Sequence, residues 1–411
     1  MPHPLIYDWN RTNEASLRPV MLDDETLRDG LQSPSVRSPT IAQKIALLHL
    51  MDDLGIDTAD IGLPGAGPHV VADVERLARE IVDSRLRIRP NCAARTLEAD
   101  IKPIVDISHR VGVPIECCAF IGSSPIRRYA EDWTIDQLLR RTEEAVSFAV
   151  REGVPVMYVT EDTTRADPET LRLLYSTAIR AGAQRVCVAD TVGYATPVGA
   201  AAVVRFIASI VEACGGGIGI DWHGHRDRGL DVINAMAALD AGATRLHGTA
   251  IGIGERVGNT PMDLILVNLV LMGYLERDLT KLGEYCALAS EACGVPIPAN
   301  YPVMGRDAFR TATGVHAAAV IKAIKKQDEA LTDAVYSSVP ARMVGREQEI
   351  EIGPMSGRSN VVYWLQKRGL DASGEVVDRI FARAKDSKTV LTEHEILSIV
   401  AEVDRNETPR A

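Results

Sequence analysis

Ile218-Gly-Ile-Asp-Trp-His-Gly-His-Arg-Asp227 carries an apolar run directly into two histidines separated by one glycine. Read as a strand, the run turns His223 and His225 to the same side, because side chains alternate along an extended chain. A strand offers a metal two ligands at once in this way. Two hydrogen-bonded histidines on a polar loop would leave the same trace, so the pair has to be weighed against the rest of the chain.

Working outward, further β-rich runs fall near Val20–Leu22, Thr58–Ile61, Leu86–Pro90, Ile115–Phe120, Val154–Val159, Arg185–Val188 and Thr244–His247. With Ile218–Trp222 they make eight predicted strands. Amphipathic stretches with recognisable helix ends lie between them. Thr40 opens one that stops at Gly55, Thr134 opens another that runs to Gly153, and Asp167-Pro168 caps a third that ends near Gly182. Eight βα units in this span predict a (β/α)8 TIM barrel over residues 20–275, with a doubly wound open sheet as the rival. Residues 1–19 read as an N-terminal extension and 276–411 as a C-terminal, mostly helical lid and dimerisation region. That region is expected to hold helices at Leu279–Cys293, Thr313–Lys326, Val361–Lys367 and Glu375–Ala384, and a last one opened by the capping box Thr392-Glu-His-Glu395.

Composition narrows the function. The chain has 411 residues, 46% apolar and 25% charged, which is a globular balance able to bury a full core. A formal net charge of −11 argues against nucleic acid or an anionic membrane as the main partner. Seven cysteines without C-x-x-C spacing read as reduced core residues of an intracellular protein. Met1–Leu17 holds Asp8, Arg11 and Glu14 and lacks the apolar core of a signal peptide, and no apolar run is long enough to span a bilayer. A soluble, cytoplasmic protein is expected.

Polar clusters follow the predicted strand ends, which is where a barrel builds its active site. They are Asp24-Glu-Thr-Leu-Arg-Asp-Gly-Leu-Gln32, Glu161-Asp-Thr-Thr-Arg165, Asp190-Thr-Val-Gly-Tyr194, the histidine pair, and Gly252-Ile-Gly-Glu-Arg-Val-Gly-Asn259. Asp29 is the natural third ligand, since a carboxylate completes a set of two imidazoles and leaves positions open for substrate. Such a set suits Zn²⁺, Mn²⁺, Fe²⁺ or Mg²⁺. Asp29 also fits an Asp-Gly turn, and Arg28 an ordinary ion pair. Beside a metal, Arg28 would stabilise a developing oxyanion.

Asp24–Gln32, the His-Gly-His stretch and the glycine loop at 252–259 resemble the signatures of the DRE-TIM metallolyase superfamily. The resemblance is to its Claisen-condensing branch of 2-isopropylmalate, homocitrate and citramalate synthases. Gly305–His316 and Tyr336–Gly345 extend it, being similar to the lid and the next subdomain of these enzymes. The resemblance implies Asp29, His223 and His225 as metal ligands with Asn259 at or near the metal, and Arg28 as the group polarising a substrate carbonyl. It implies that Gln32, Glu161 and Thr191 line the substrate pocket. His316 and Tyr336 would be lid residues contributed across a homodimer, with His316 and Glu161 both candidates for the general base. The implied reaction condenses acetyl-CoA with a 2-oxo acid and hydrolyses the thioester to release a 2-substituted malate. Lyases that cleave hydroxymethylglutaryl-CoA carry a cysteine in the glycine loop, and residues 252–259 contain none. This weighs against a retro-Claisen lyase or aldolase.

Two positions depart from the pattern. Arg226 stands where the family commonly has asparagine, and Arg127 where isopropylmalate synthases often have histidine. As substrate-binding groups they would suit an oxo acid with a second anionic group, as in a homocitrate synthase-like or phosphonomethylmalate synthase-like enzyme. As structural groups they would pair with acids such as Glu131 or Asp227. The chain also ends soon after the second subdomain, so feedback inhibition through a further regulatory domain is not expected.

Overall fold

The computed structural model describes residues 4–7, 9 and 19–407, so the N-terminal reading at Met1–Leu17 lies largely outside the described residues. Eight parallel strands close into a barrel in sequence order. They are β1 (Met21–Asp24), β2 (Thr58–Asp60), β3 (Arg89–Arg95), β4 (Glu116–Gly122), β5 (Val156–Glu161), β6 (Arg185–Asp190), β7 (Gly219–Gly224) and β8 (Arg245–Gly248). β8 closes on β1 with Met21 opposite Arg245 and Asp23 opposite His247. The fold is a (β/α)8 TIM barrel with a C-terminal helical region.

The expected strands stand with ends moved by a few residues. The largest shift is the third, which begins at Arg89 rather than Leu86 and runs on through Asn91-Cys-Ala-Ala94. The residues missed there are small or polar, so they lack a β-branched signature, but burial on both faces makes them strand. The expected helix ends are in place. Thr40 and Thr134 each form a reciprocal capping box with a glutamine three residues on. Asp167 caps a helix whose first residue is Pro168.

Most barrels fill their interior with branched aliphatic side chains. This interior is partly ionic: Arg245, Asp221, Asp23 and Asn91 are buried in it, and Arg245 donates to Asp221 (2.5 Å) and to Glu116 (2.7 Å). The apolar core lies between the strands and the surrounding helices, with Trp222, Leu47, Leu77 and Leu174 fully buried.

A division between compact units falls at Pro296/Ile297, so the helix Leu282–Cys293 belongs with the barrel. The second unit holds helices at Gly314–Lys325, Arg358–Lys367, Gly374–Lys385 and Glu393–Glu407. Its core gathers Val361, Trp364, Leu365, Ile380 and Ile396. The Thr392/Glu395 capping box is formed, and the last helix starts at Glu393, directly after Thr392. Among the described residues no helix is long and apolar enough to cross a membrane.

Candidate metal centre and active site

The turn after β1 places the first donors. Thr26 N donates to the Asp24 carboxylate (2.8 Å), and Arg28 N and Gly30 N both donate to the Glu25 carbonyl (3.1 and 3.0 Å). The chain is thereby wound into a short 3-10 turn at Asp29–Leu31, with Asp29 buried. β7 supplies His223, and His225 follows it in a bridge with Asn259 of the glycine loop.

These three side chains converge. Asp29 Oδ2 lies 3.4 Å from His223 Nε2 and 3.5 Å from His225 Nε2, and the two Nε2 atoms are 3.2 Å apart. Ligands held at about 2.1 Å by a tetrahedral or octahedral ion stand about 3.0–3.4 Å from one another, so the spacing fits a divalent metal. Burial, together with His223 beside it, pushes His225 down to about 4, which keeps its ring neutral and able to ligate. Asn259 is buried against the triad with its Oδ1 unpartnered, while its Nδ2 donates to the Ile253 carbonyl (3.2 Å). The candidate ligand set therefore comes together from the turn after β1, the end of β7 and the glycine loop, and the chemistry of the donors fits the ion.

Arg28 is held by three acids: Asp60 Oδ2 at 2.6 Å, Glu25 Oε2 at 3.1 Å and Asp29 Oδ1 at 3.7 Å. It lines one cavity with Gln32, Glu161, Thr191 and the metal-site histidines. Burial pushes Glu161 above the ordinary carboxylate range, against the pull of Arg127. Thr191 Oγ1 accepts from Asp162 N (2.8 Å), which ties the loop after β6 to the loop after β5.

Arg127 and Arg226 stand outside the cavity lining. Arg127 pairs with Glu131 (2.9 Å) and reaches Glu161 only at 3.9 Å. Arg226 packs against Gly252 and Gly258 on the glycine loop. Asp227, a suggested partner for it, is taken by Arg256, which grips it with Nε at 2.8 Å and Nη2 at 3.0 Å and also donates to the Thr191 carbonyl (2.7 Å). His316 and Tyr336 belong to the second unit, where their rings stack at 4.2 Å.

Four residues escaped the sequence reading: Glu25, Asp60, His247 and Arg256. Glu25 sits inside a motif that was recognised, yet nothing in its neighbours marks it as different from Asp24. His247 is isolated in Leu-His-Gly, and only the closure of β8 onto β1 brings it to Glu25. Burial works to lower His247, but Asp23, Asp221 and Glu25 outweigh it and hold the ring up to about 10.

Fold and donor set together define a TIM-barrel protein with a candidate metal centre at the carboxyl ends of its strands. Residues 19–289 match the HMGL-like family model, and the chain belongs to that family. It is 32% identical over 370 residues to a probable 2-isopropylmalate synthase of Methanopyrus kandleri, covering 89% of this chain and 69% of that one. It is 33% identical over 391 residues to the homocitrate synthase AksA of the same organism, covering 93% and 92%. A homocitrate synthase of Pyrococcus horikoshii is 30% identical over 375 residues, covering 90% and 96%. Among solved structures, the HMG-CoA lyase of Brucella melitensis superposes with a TM-score of 0.55 at 19% identity, covering 66% of this chain and 98% of that one, a likeness of fold. These matches agree with the DRE-TIM resemblance and its Claisen-condensing branch.

Proposed function

We propose that this chain is a metal-dependent acyltransferase that condenses acetyl-CoA with a 2-oxo acid and releases a 2-substituted malate, in the manner of a 2-isopropylmalate synthase. The observation that carries this reading is the convergence of Asp29, His223 and His225 beside Arg28 in one cavity. The extent of similarity adds support, because the synthases align with 89–93% of the chain whereas the lyase structure covers 66%. Asp29, His223 and His225 would hold the ion, with Asn259 beside it, and when bound the ion supplies Lewis-acid polarisation of the oxo acid's carbonyl.

The protein's own groups do the rest. Arg28, fixed by Asp60 and Glu25, presents its remaining N–H donors to the oxygen that gains charge as the carbonyl is attacked. Glu161, which lines the cavity and is raised by burial, and His316 are the two candidates to take the proton from the acetyl methyl group. Gln32 and Thr191 orient the oxo acid. Leu63, Phe120, Met157 and Val159 line the same cavity and favour an apolar branch on the substrate. A homocitrate synthase-like enzyme with an anionic oxo acid is the second reading, favoured by the 33% identity to homocitrate synthase AksA. It requires Arg127 to leave Glu131. Within this reading His316 and Tyr336 act from a partner subunit of a homodimer.

The test is free-thiol release from acetyl-CoA with added Mn²⁺ or Zn²⁺, screened against 2-oxoisovalerate, pyruvate, 2-oxoglutarate, oxaloacetate and phosphonopyruvate. Release is expected, and fastest with 2-oxoisovalerate. No release with any oxo acid, together with cleavage of a 3-hydroxyacyl-CoA, would overturn the condensation reading. Faster release with a dianionic oxo acid would select the second reading.

A further inference from the structure

The metal triad stands on a chain of ionic hydrogen bonds that runs down into the barrel. Glu25 Oε2 lies 2.9 Å from His223 Nδ1, and Glu25 Oε1 lies 2.8 Å from His247 Nδ1. The other nitrogen of His247, Nε2, lies 2.9 Å from Asp221 Oδ2, and the Asp221 carboxylate is gripped by Arg245 (2.5 Å) and by Arg185 Nε (2.7 Å). Glu25, His247, Asp221 and Arg245 are all buried.

Charge decides the proton positions. An ionised carboxylate only accepts, so each ring nitrogen facing one must donate. His247 faces Glu25 on one side and Asp221 on the other, and carries a proton on both nitrogens. His223 makes its short contact, 2.9 Å, with Glu25 through Nδ1, whereas Asp29 Oδ2 stands 3.4 Å from its Nε2, so a proton on Nδ1 leaves the Nε2 lone pair for an ion held between Asp29 and His225. The trio Glu25, His223 and His247 is also close enough to enclose an ion of its own. Its contacts of 2.8 and 2.9 Å are charge-assisted hydrogen bonds instead, shorter than the separation of two ligands around one metal.

We propose that Glu25 and His247, anchored by Asp221, are positioning residues that fix the His223 ring with its Nε2 lone pair facing Asp29 and His225. Glu25 has a second task in the same geometry, since its Oε2 also holds Arg28 at 3.1 Å. One carboxylate thus sets the distance between the ligand and the guanidinium. The proposal rests on the metal reading above, and partners of this kind typically change metal affinity by roughly 10- to 100-fold.

The experiment titrates Co²⁺ alone into the chelator-stripped full chain and follows its visible absorption. Wild type is expected to bind, Asp29→Ala to lose binding, and Glu25→Gln and His247→Gln each to bind roughly 10- to 100-fold more weakly with a changed Co²⁺ spectrum. Metal-binding wild type with both variants at the same affinity and spectrum, whatever their thermal stability, overturns the positioning role. Failure of wild type to take up Co²⁺ overturns the metal reading itself and the role with it. Should either variant fail to fold, histidine-selective ¹⁵N spectra of the Zn²⁺-loaded wild type decide the same question. His223 protonated on Nδ1 only and His247 on both nitrogens is the expected pattern. The reversed tautomer at His223 overturns the proposal.

Discussion

Gly254→Ala should damage the proposed metal centre without replacing a proposed ligand. Gly254 has φ of +141°, a region open almost only to glycine, and a Cβ built there would lie 2.1 Å from Asn259 Nδ2 and 3.3 Å from the Asp29 carbonyl oxygen. Ordinary contact needs about 3.5 Å, so the Asn259 amide must retreat by about 1.4 Å. It has no free space to do so: Asn259 is buried, its Nδ2 holds the Ile253 carbonyl, and its backbone bridges His225. Backbone strain of about 1–3 kcal/mol and loss of a buried hydrogen bond worth about 1–2 kcal/mol sum to roughly 2–5 kcal/mol. At about 2 °C per kcal/mol for a unit of this size, the barrel's thermal midpoint falls by roughly 4–10 °C. Scanning calorimetry reads that fall, and metal analysis of the same sample should show reduced occupancy because His225 moves with Asn259. An unchanged midpoint with full metal content would refute both the packing argument and the place given to Asn259.

Three further outcomes are expected. Arg245→Met leaves Glu116 without its guanidinium and should cost about 3–5 kcal/mol, while adding Glu116→Gln should recover part of it; strictly additive losses in urea unfolding would contradict the pairing. Burial raises Asp24 to about 7, so between about pH 4 and 7 the folded chain keeps a proton that the unfolded chain has lost, and this group's contribution to stability declines as pH rises through that window. Asp24→Asn should flatten the midpoint-against-pH curve there, and identical slopes would refute the assignment. Metal removal by a chelator should lower the midpoint reversibly, since a ligand at a hundred times its Kd stabilises by about 2.7 kcal/mol. A midpoint indifferent to added Zn²⁺ or Mn²⁺ would count against the centre at Asp29, His223 and His225.

Much of the site was legible because it is written in local motifs. Asp29 and the two histidines follow strands whose ends could be placed within a few residues, and a parallel barrel carries all such ends to one face. Arg127 and Arg226 were recognised as departures, but their surroundings were not. That Arg127 lies over Glu131 depends on the short helix Pro125–Glu131, and that Arg256 rather than Arg226 holds Asp227 depends on a loop with positive φ at Arg256.

What the sequence by itself determined is the alternation of strands and helices, the barrel that follows from it, and a set of candidate metal-binding groups. Periodicity, caps and strand-end motifs are local, and neighbouring residues suffice to read them. Only the tertiary structure decided which charges meet. Glu25, Asp60, Asp221, His247 and Arg245 come from four strands or strand ends, and barrel closure sets them side by side. In a buried interior a charge persists only beside its partner, so the protonation of His247 and the direction of the His223 lone pair follow from contacts across the barrel, with Glu25 about 200 positions from either ring and Asp221 on the neighbouring strand.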